Sequence, residues 1–159
     1  MKKLILISSL LISSFSFGAD WALVTQSEDN ESSYFVDKSY YKYDAKNKMV
    51  EIWVQTKEYK SPNSMEKFVS TKALAQYDCI GKRSKALASI KYNSDGYVLS
   101  SSSQPSKSFD IIFPDTIGES YWEAACKTKG NGLYLTNPPE FIGKKRFDTN
   151  IRSVNTPTE

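Results

Sequence analysis

Histidine is absent from all 159 residues. Its absence excludes Ser-His-Asp and Cys-His catalysis in their usual forms and removes the commonest zinc ligand. Cysteine is nearly absent: Cys79 and Cys126 are the only two, and pairing them leaves no thiolate nucleophile. The seven glycines do not gather into a loop that could cradle a phosphate. No pair of carboxylates is marked by spacing, although a hydrolase built from acids distant in sequence stays open. With this inventory missing, the chain reads as a non-enzyme with no cofactor and no metal site. Long apolar runs are missing too, the longest falling short of the ~20 residues that a membrane span needs.

What stands at the N-terminus is a secretory signal. Met1-Lys2-Lys3 supplies the positive start, and Leu4 to Phe15 an apolar run relieved only by serines. Ser16-Phe17-Gly18-Ala19 then offers small residues to a peptidase, with cuts after Gly18 or after Ala19 both fitting. Residues 1–19 are therefore read as a signal peptide. No cysteine follows the small residues, so the sequence predicts neither a lipid anchor nor a membrane span. Loss of Lys2 and Lys3 takes the 21 basic residues to 19, against 18 acidic ones, a net charge of +1. So nearly neutral a domain has no bulk electrostatic case for binding nucleic acid. The 140 residues beyond residue 19 suit one domain.

A helix signal ends on the second cysteine. Thr116 and Glu119 stand at capping-box spacing, and Ile117, Tyr121, Trp122 and Ala125 recur on one face. Cys126 follows Trp122 by four residues and shares that side. In an exported chain, two cysteines read as a disulfide before a metal site or a nucleophile pair, which joins Cys126 to Cys79.

Elsewhere the pattern is that of strands. Asp20 to Val24 starts the mature chain, and Tyr34 to Asp37 follows a polar stretch. After the turn Asp44 to Lys48, Val50, Ile52 and Val54 alternate strictly on one face. Trp53 lies on the other, as a cross-strand packing partner or an exposed aromatic. Ser61-Pro62-Asn63-Ser64 breaks the chain before Met65 to Cys79, which fits helix or strand, the β-branched residues favouring strand. Ala86 to Tyr92 and Tyr97 to Leu99 flank Asn93-Ser94-Asp95-Gly96 as a hairpin. Ser100 to Ser108 reads as a polar loop, and Gly130, Gly132, Pro138 and Pro139 argue against regular structure beyond Cys126. Together these give an α+β fold: an antiparallel sheet of about six strands, with a C-terminal helix packed on one face and tethered by a disulfide. Residues 20–128 form the sheet-plus-helix domain, and 129–159 a partly disordered extension.

Two basic clusters offer binding surfaces. Lys82, Arg83, Lys85 and Lys91 lie around the hairpin's first strand, and Lys144-Lys145-Arg146 near the end. Each fits an anionic polymer or an acidic protein patch, and equally a solvated strand face or tail. Tyr40, Tyr41 and Tyr43 crowd before a turn, where tyrosine suits an interface or a sheet.

Several short motifs in order carry a resemblance. They are Trp21 after the signal, Tyr34-Phe35-Val36-Asp37, the Val50 to Val54 strand with Trp53, and Tyr77-Asp78-Cys79. Tyr92 to Leu99 around Gly96, Ile112-Phe113-Pro114-Asp115-Thr116-Ile117-Gly118-Glu119 and Cys126 complete it. In these features residues 20 to 128 resemble the surface-adhesin protein E family of Gram-negative bacteria. The resemblance implies the same sheet, helix and Cys79–Cys126 disulfide. It also implies cell adhesion and virulence through host vitronectin, laminin or plasminogen, with Lys82, Arg83, Lys85 and Lys91 as the contact. The chain departs from the lipoprotein for which the family is named in having no acceptor cysteine, and it continues some thirty residues past the helix.

Two roles therefore compete. One is an exported non-catalytic adhesin-like module at the cell surface. The other is a soluble periplasmic inhibitor or envelope-maintenance protein that binds another envelope protein. The open sheet also leaves edges that can pair two copies into a homodimer.

Overall fold

Apolar alternation lays down six strands in succession: β1 (Trp21–Ser27), β2 (Ser32–Asp44), β3 (Met49–Tyr59), β4 (Phe68–Asp78), β5 (Arg83–Tyr92) and β6 (Val98–Ser102). Each pairs antiparallel with the next. Two short strands, β7 (Asp110–Ile111) and β8 (Glu140–Ile142), flank the helix α1 (Ile117–Cys126) in sequence. The computed structural model describes residues 18–27, 31–59, 68–136 and 140–142. Most of the predicted signal, the Ser61 to Ser64 break and the Lys144-Lys145-Arg146 cluster lie outside them. Among the described residues the sheet order is β6-β5-β4-β3-β2-β1-β8, with β7 on β5.

The predicted face of β3 is the core. Val50 and Ile52 are fully buried with Val36 of β2, each contributing about 1.5–3 kcal/mol of burial. Ala75 and Tyr77 of β4 join them, which is why the segment ambiguous between helix and strand folds as strand. Only alternation places both under the helix, in an unbroken register from Met49 opposite Asp78 to Tyr59 opposite Phe68. Trp53, half-buried on the other face, stands opposite Leu74 as a cross-strand partner.

Three regions differ from the sequence expectation. β2 runs well beyond Tyr34 to Asp37, because a bulge interrupts its alternation: Val36 opposes Val54, yet Tyr41 opposes Ile52. The buried Asp37 carboxylate organises that bulge, accepting from the Ser39 N–H at 2.9 Å, the Ser39 hydroxyl at 2.6 Å and the Asp20 N–H at 3.0 Å. Burial alone would raise its pKa, but these bonds outweigh it and hold the carboxyl below its ordinary value. β6 extends through Ser102 into the stretch read as loop. Beyond Cys126, where no regular structure was expected, Glu140 to Ile142 pairs parallel with Thr25 to Ser27 of β1. Pairing there is made by backbone groups at an open edge and needs no side-chain pattern.

The helix begins as its sequence predicts, with one change. Thr116 is the N-cap, and its hydroxyl accepts from the Glu119 N–H at 3.3 Å, a contact typically worth about 1 kcal/mol. The Glu119 carboxylate reaches back to the N–H of Asp115, at 2.7 Å, one residue beyond the usual box. Tyr121, Ala124, Ala125 and Cys126 are buried against the sheet. Hydroxyls pin the helix at two heights: Tyr121 donates to the Gln55 carbonyl at 2.9 Å, and Tyr41 donates to the Ala125 carbonyl at 3.0 Å. The edge of one ring of the Tyr34–Tyr121 pair meets the other at 6.3 Å between centroids.

The face away from the helix curls inward. The Lys72 ammonium is 5.5 Å from the Trp21 ring and 5.6 Å from the Tyr92 ring. Those rings belong to β1 and β5, about 19 Å apart in a flat sheet at the usual strand spacing. One side chain reaches both because the sheet is coiled around it.

Candidate binding surface at the stapled end of the sheet

The turn between β4 and β5 is built on Asp78. Its carboxylate accepts from the N–H groups of Ile80 at 3.0 Å and Gly81 at 2.7 Å, and from the Arg83 guanidinium at 2.6 Å. The Gly81 bond, followed by the Arg83 contact, holds the carboxyl below its ordinary pKa. Glycine at 81 is required because a β-carbon there would lie 2.4 Å from Asp78 Oδ2. The turn is tied sideways by the Cys79 N–H, which donates to the Lys48 carbonyl at 3.0 Å. It is tied upward by the disulfide to Cys126, with Cα atoms 5.3 Å apart. This end of the sheet, the β2–β3 turn and the end of the helix therefore form one connected body.

Three of the four basic residues singled out in the sequence gather here. The Lys82 ammonium pairs with Glu119 and lies 5.4 Å over the Trp122 ring. That pairing, with the Asp115 N–H, holds Glu119 below its ordinary pKa. Arg83, besides holding Asp78, stacks 5.5 Å from the Phe109 ring, and the Lys85 ammonium lies 4.8 Å from the same ring. Lys91 is placed apart. It stands six residues along β5, roughly 20 Å at strand rise. It is also on the opposite face, since Lys85 opposes Gln76 whereas Lys91 opposes Thr71. Sequence reasoning missed Phe109, whose signal was confined to a single aromatic closing a polar loop.

Nothing in this arrangement assembles reacting groups around a common point. Among the described residues no set of three or more carboxylates and cysteines could hold a metal ion, and no helix is long and apolar enough to cross a membrane. The fold and this surface define a small disulfide-stapled α+β module with a cationic, aromatic ridge at one end. The sequence profile of the family described as surface-adhesin protein E matches residues 21–127, and the chain belongs to that family. It is thus an adhesin-like protein, of a family that is exported or displayed at the cell surface. No curated protein and no solved structure matches it.

Proposed function

We propose that this chain is a non-catalytic, exported adhesion module that binds a protein partner through the ridge of Lys82, Arg83 and Lys85. Host matrix proteins such as vitronectin and laminin, or plasminogen, are the partners this reading favours. The observation that carries it is family membership across the whole sheet-and-helix domain. The ridge adds a chemical reason. Lys82 and Arg83 are each answered by a carboxylate, whereas Lys85 has none within ion-pair distance among the described residues. Its charge is available to an acidic partner, and Phe109 beside it offers the aromatic surface on which interface contacts concentrate.

A periplasmic role, capping another envelope protein, is the second reading. It is favoured by the Cys79–Cys126 disulfide, which an oxidising compartment such as the periplasm maintains. Protease treatment of intact cells, compared with cells whose outer membrane is permeabilised, separates the two. Digestion on intact cells supports adhesion, and immobilised vitronectin should then lose binding about tenfold with Lys85→Glu and keep it with Lys91→Glu. Protection until permeabilisation overturns the adhesin reading in favour of the periplasmic one.

A further inference from the structure

A second feature at this end of the sheet is lined by other residues than the basic ones of the ridge. A cavity of about 530 Å³ opens between the β2–β3 turn, the β4–β5 turn and the end of α1. That volume is within the usual range for small-molecule sites. Its apolar lining is Tyr43, Ile80, Trp122 and the Cys79–Cys126 disulfide. Ile80 is 79% exposed, a large aliphatic side chain held at the cavity's edge with no burial to reward it in the free protein.

The remaining lining is cationic. Lys48, Lys127 and Lys129 stand around the apolar surface with one carboxylate, Glu123. Glu123 is 3.9 Å from Lys127 and partly answers it. Among the described residues no carboxylate is within ion-pair distance of Lys48 or Lys129. The cavity is therefore apolar inside and carries three lysines against one glutamate at its edge, an excess of positive charge.

The backbone supplies an independent observation. Lys48 and Lys129 have φ of +55° and +53°. A side chain in this left-handed region costs roughly 1 kcal/mol relative to glycine. Turns of this kind take glycine or asparagine at lower cost. Two of the four such non-glycine positions among the described residues are lysines that line this one cavity. What those positions retain against the backbone preference is positive charge.

We infer that this cavity binds a single-chain anionic amphiphile, an alkyl carboxylate whose chain lies on Trp122 and Ile80 and whose head group meets Lys48 and Lys129. Volume, apolar lining and cationic edge favour this occupant over a wholly polar anion, which would leave Ile80 and Trp122 without a role. They also favour it over a protein segment, which would need an extended groove. The inference is independent of the proposed adhesion role, since none of Lys82, Arg83, Lys85 and Phe109 lines the cavity.

The test is titration of the intact protein with decanoate, following the Trp122 indole N–H resonance, assigned with Trp122→Phe. Decanol and butanoate serve as the uncharged and short-chain controls. Saturable decanoate binding is expected, with the Trp122 resonance moving and both controls at least about tenfold weaker. Lys48→Glu combined with Lys129→Glu, and separately Ile80→Asp, should each weaken decanoate at least about tenfold. Both sets of side chains are surface-placed, and an unchanged amide spectrum shows that the fold is intact. Decanol binding as tightly as decanoate would overturn the proposal, as would binding that leaves Trp122 unmoved or ignores the variants. Sedimentation with phosphatidylglycerol vesicles without affinity for free decanoate would make the surface a membrane contact and would likewise overturn it.

Discussion

The indole N–H of Trp122 donates to the carbonyl of Asp78 at 3.1 Å, and each residue stands next to, or one turn from, a half of the disulfide. Asp78 precedes Cys79, and Trp122 precedes Cys126 by one helical turn. The covalent staple and the hydrogen bond thus hold the same stretch of helix to the same turn. The carboxylate of Asp78 meanwhile shapes that turn from the other side.

Replacing both cysteines by serine should therefore cost up to about 4 kcal/mol, the chain-entropy figure for a loop of this length, read from urea unfolding at pH 7. Trp122→Phe, which removes one hydrogen bond to a partly buried carbonyl, should cost about 1 kcal/mol. Because the two links share one joint, their combined effect should depart from the sum by more than about 0.5 kcal/mol. Strict additivity would show that the hydrogen bond and the staple act separately.

Acid should weaken the protein through Asp78. Its carboxyl is held below its ordinary pKa in the fold, so its contribution is present above the unfolded value and disappears as pH falls through the folded one. Stability should begin to drop below about pH 4, the unfolded aspartate value, and keep falling. Asp78→Asn should be about 2 kcal/mol less stable at pH 7, the scale for hydrogen bonds to a charged, buried group. Most of that rests on the turn N–H groups, because Arg83 is half exposed and its pairing is screened. Between pH 7 and pH 3 the variant should lose less than the native protein, and an equal loss would mean that another group carries the acid sensitivity. Asp37 and Glu119, also held low, supply the part that the variant retains.

Two glycines separate backbone cost from packing cost. Gly96 has φ of +83° with open space where a β-carbon would go, whereas Gly130 has +100° and would place that carbon 2.4 Å from the Tyr43 ring. Gly96→Ala should cost about 1 kcal/mol. Gly130→Ala should cost about 3 kcal/mol, the same backbone strain plus displacement of Tyr43. Thermal unfolding measures both, and equal effects would show that the Tyr43 ring yields freely.

Much of this was legible locally. Alternation at Val50, Ile52 and Val54 announced the central strand, and Thr116 with Glu119 announced the helix start, because both are rules of near neighbours. The bulge after Val36 hid half of β2 from the same reasoning, since Asp37 interrupts the alternation and its partner Asp20 is 17 residues away. β8 left no trace because an edge pairs through backbone. The four basic residues are near one another in sequence, from Lys82 in the turn to Lys91 on β5. Only the pleat and strand rise separate Lys91 from Lys85, while Lys82 in the turn meets Glu119 and Trp122 of the helix.

By itself, then, the sequence determined the central strand, the helix, the family and the pairing of its two cysteines. Each depends on periodicity, on short motifs or on there being one partner available. Tertiary structure alone decided what surfaces those elements make. It brought Phe109 beneath Arg83 and Lys85, Lys82 over Trp122, and Lys48 and Lys129 around the cavity at the stapled end. Those neighbours come from three turns and a helix end, distant in the chain. They meet because Cys79 is bonded to the Lys48 carbonyl on one side and to Cys126 on the other.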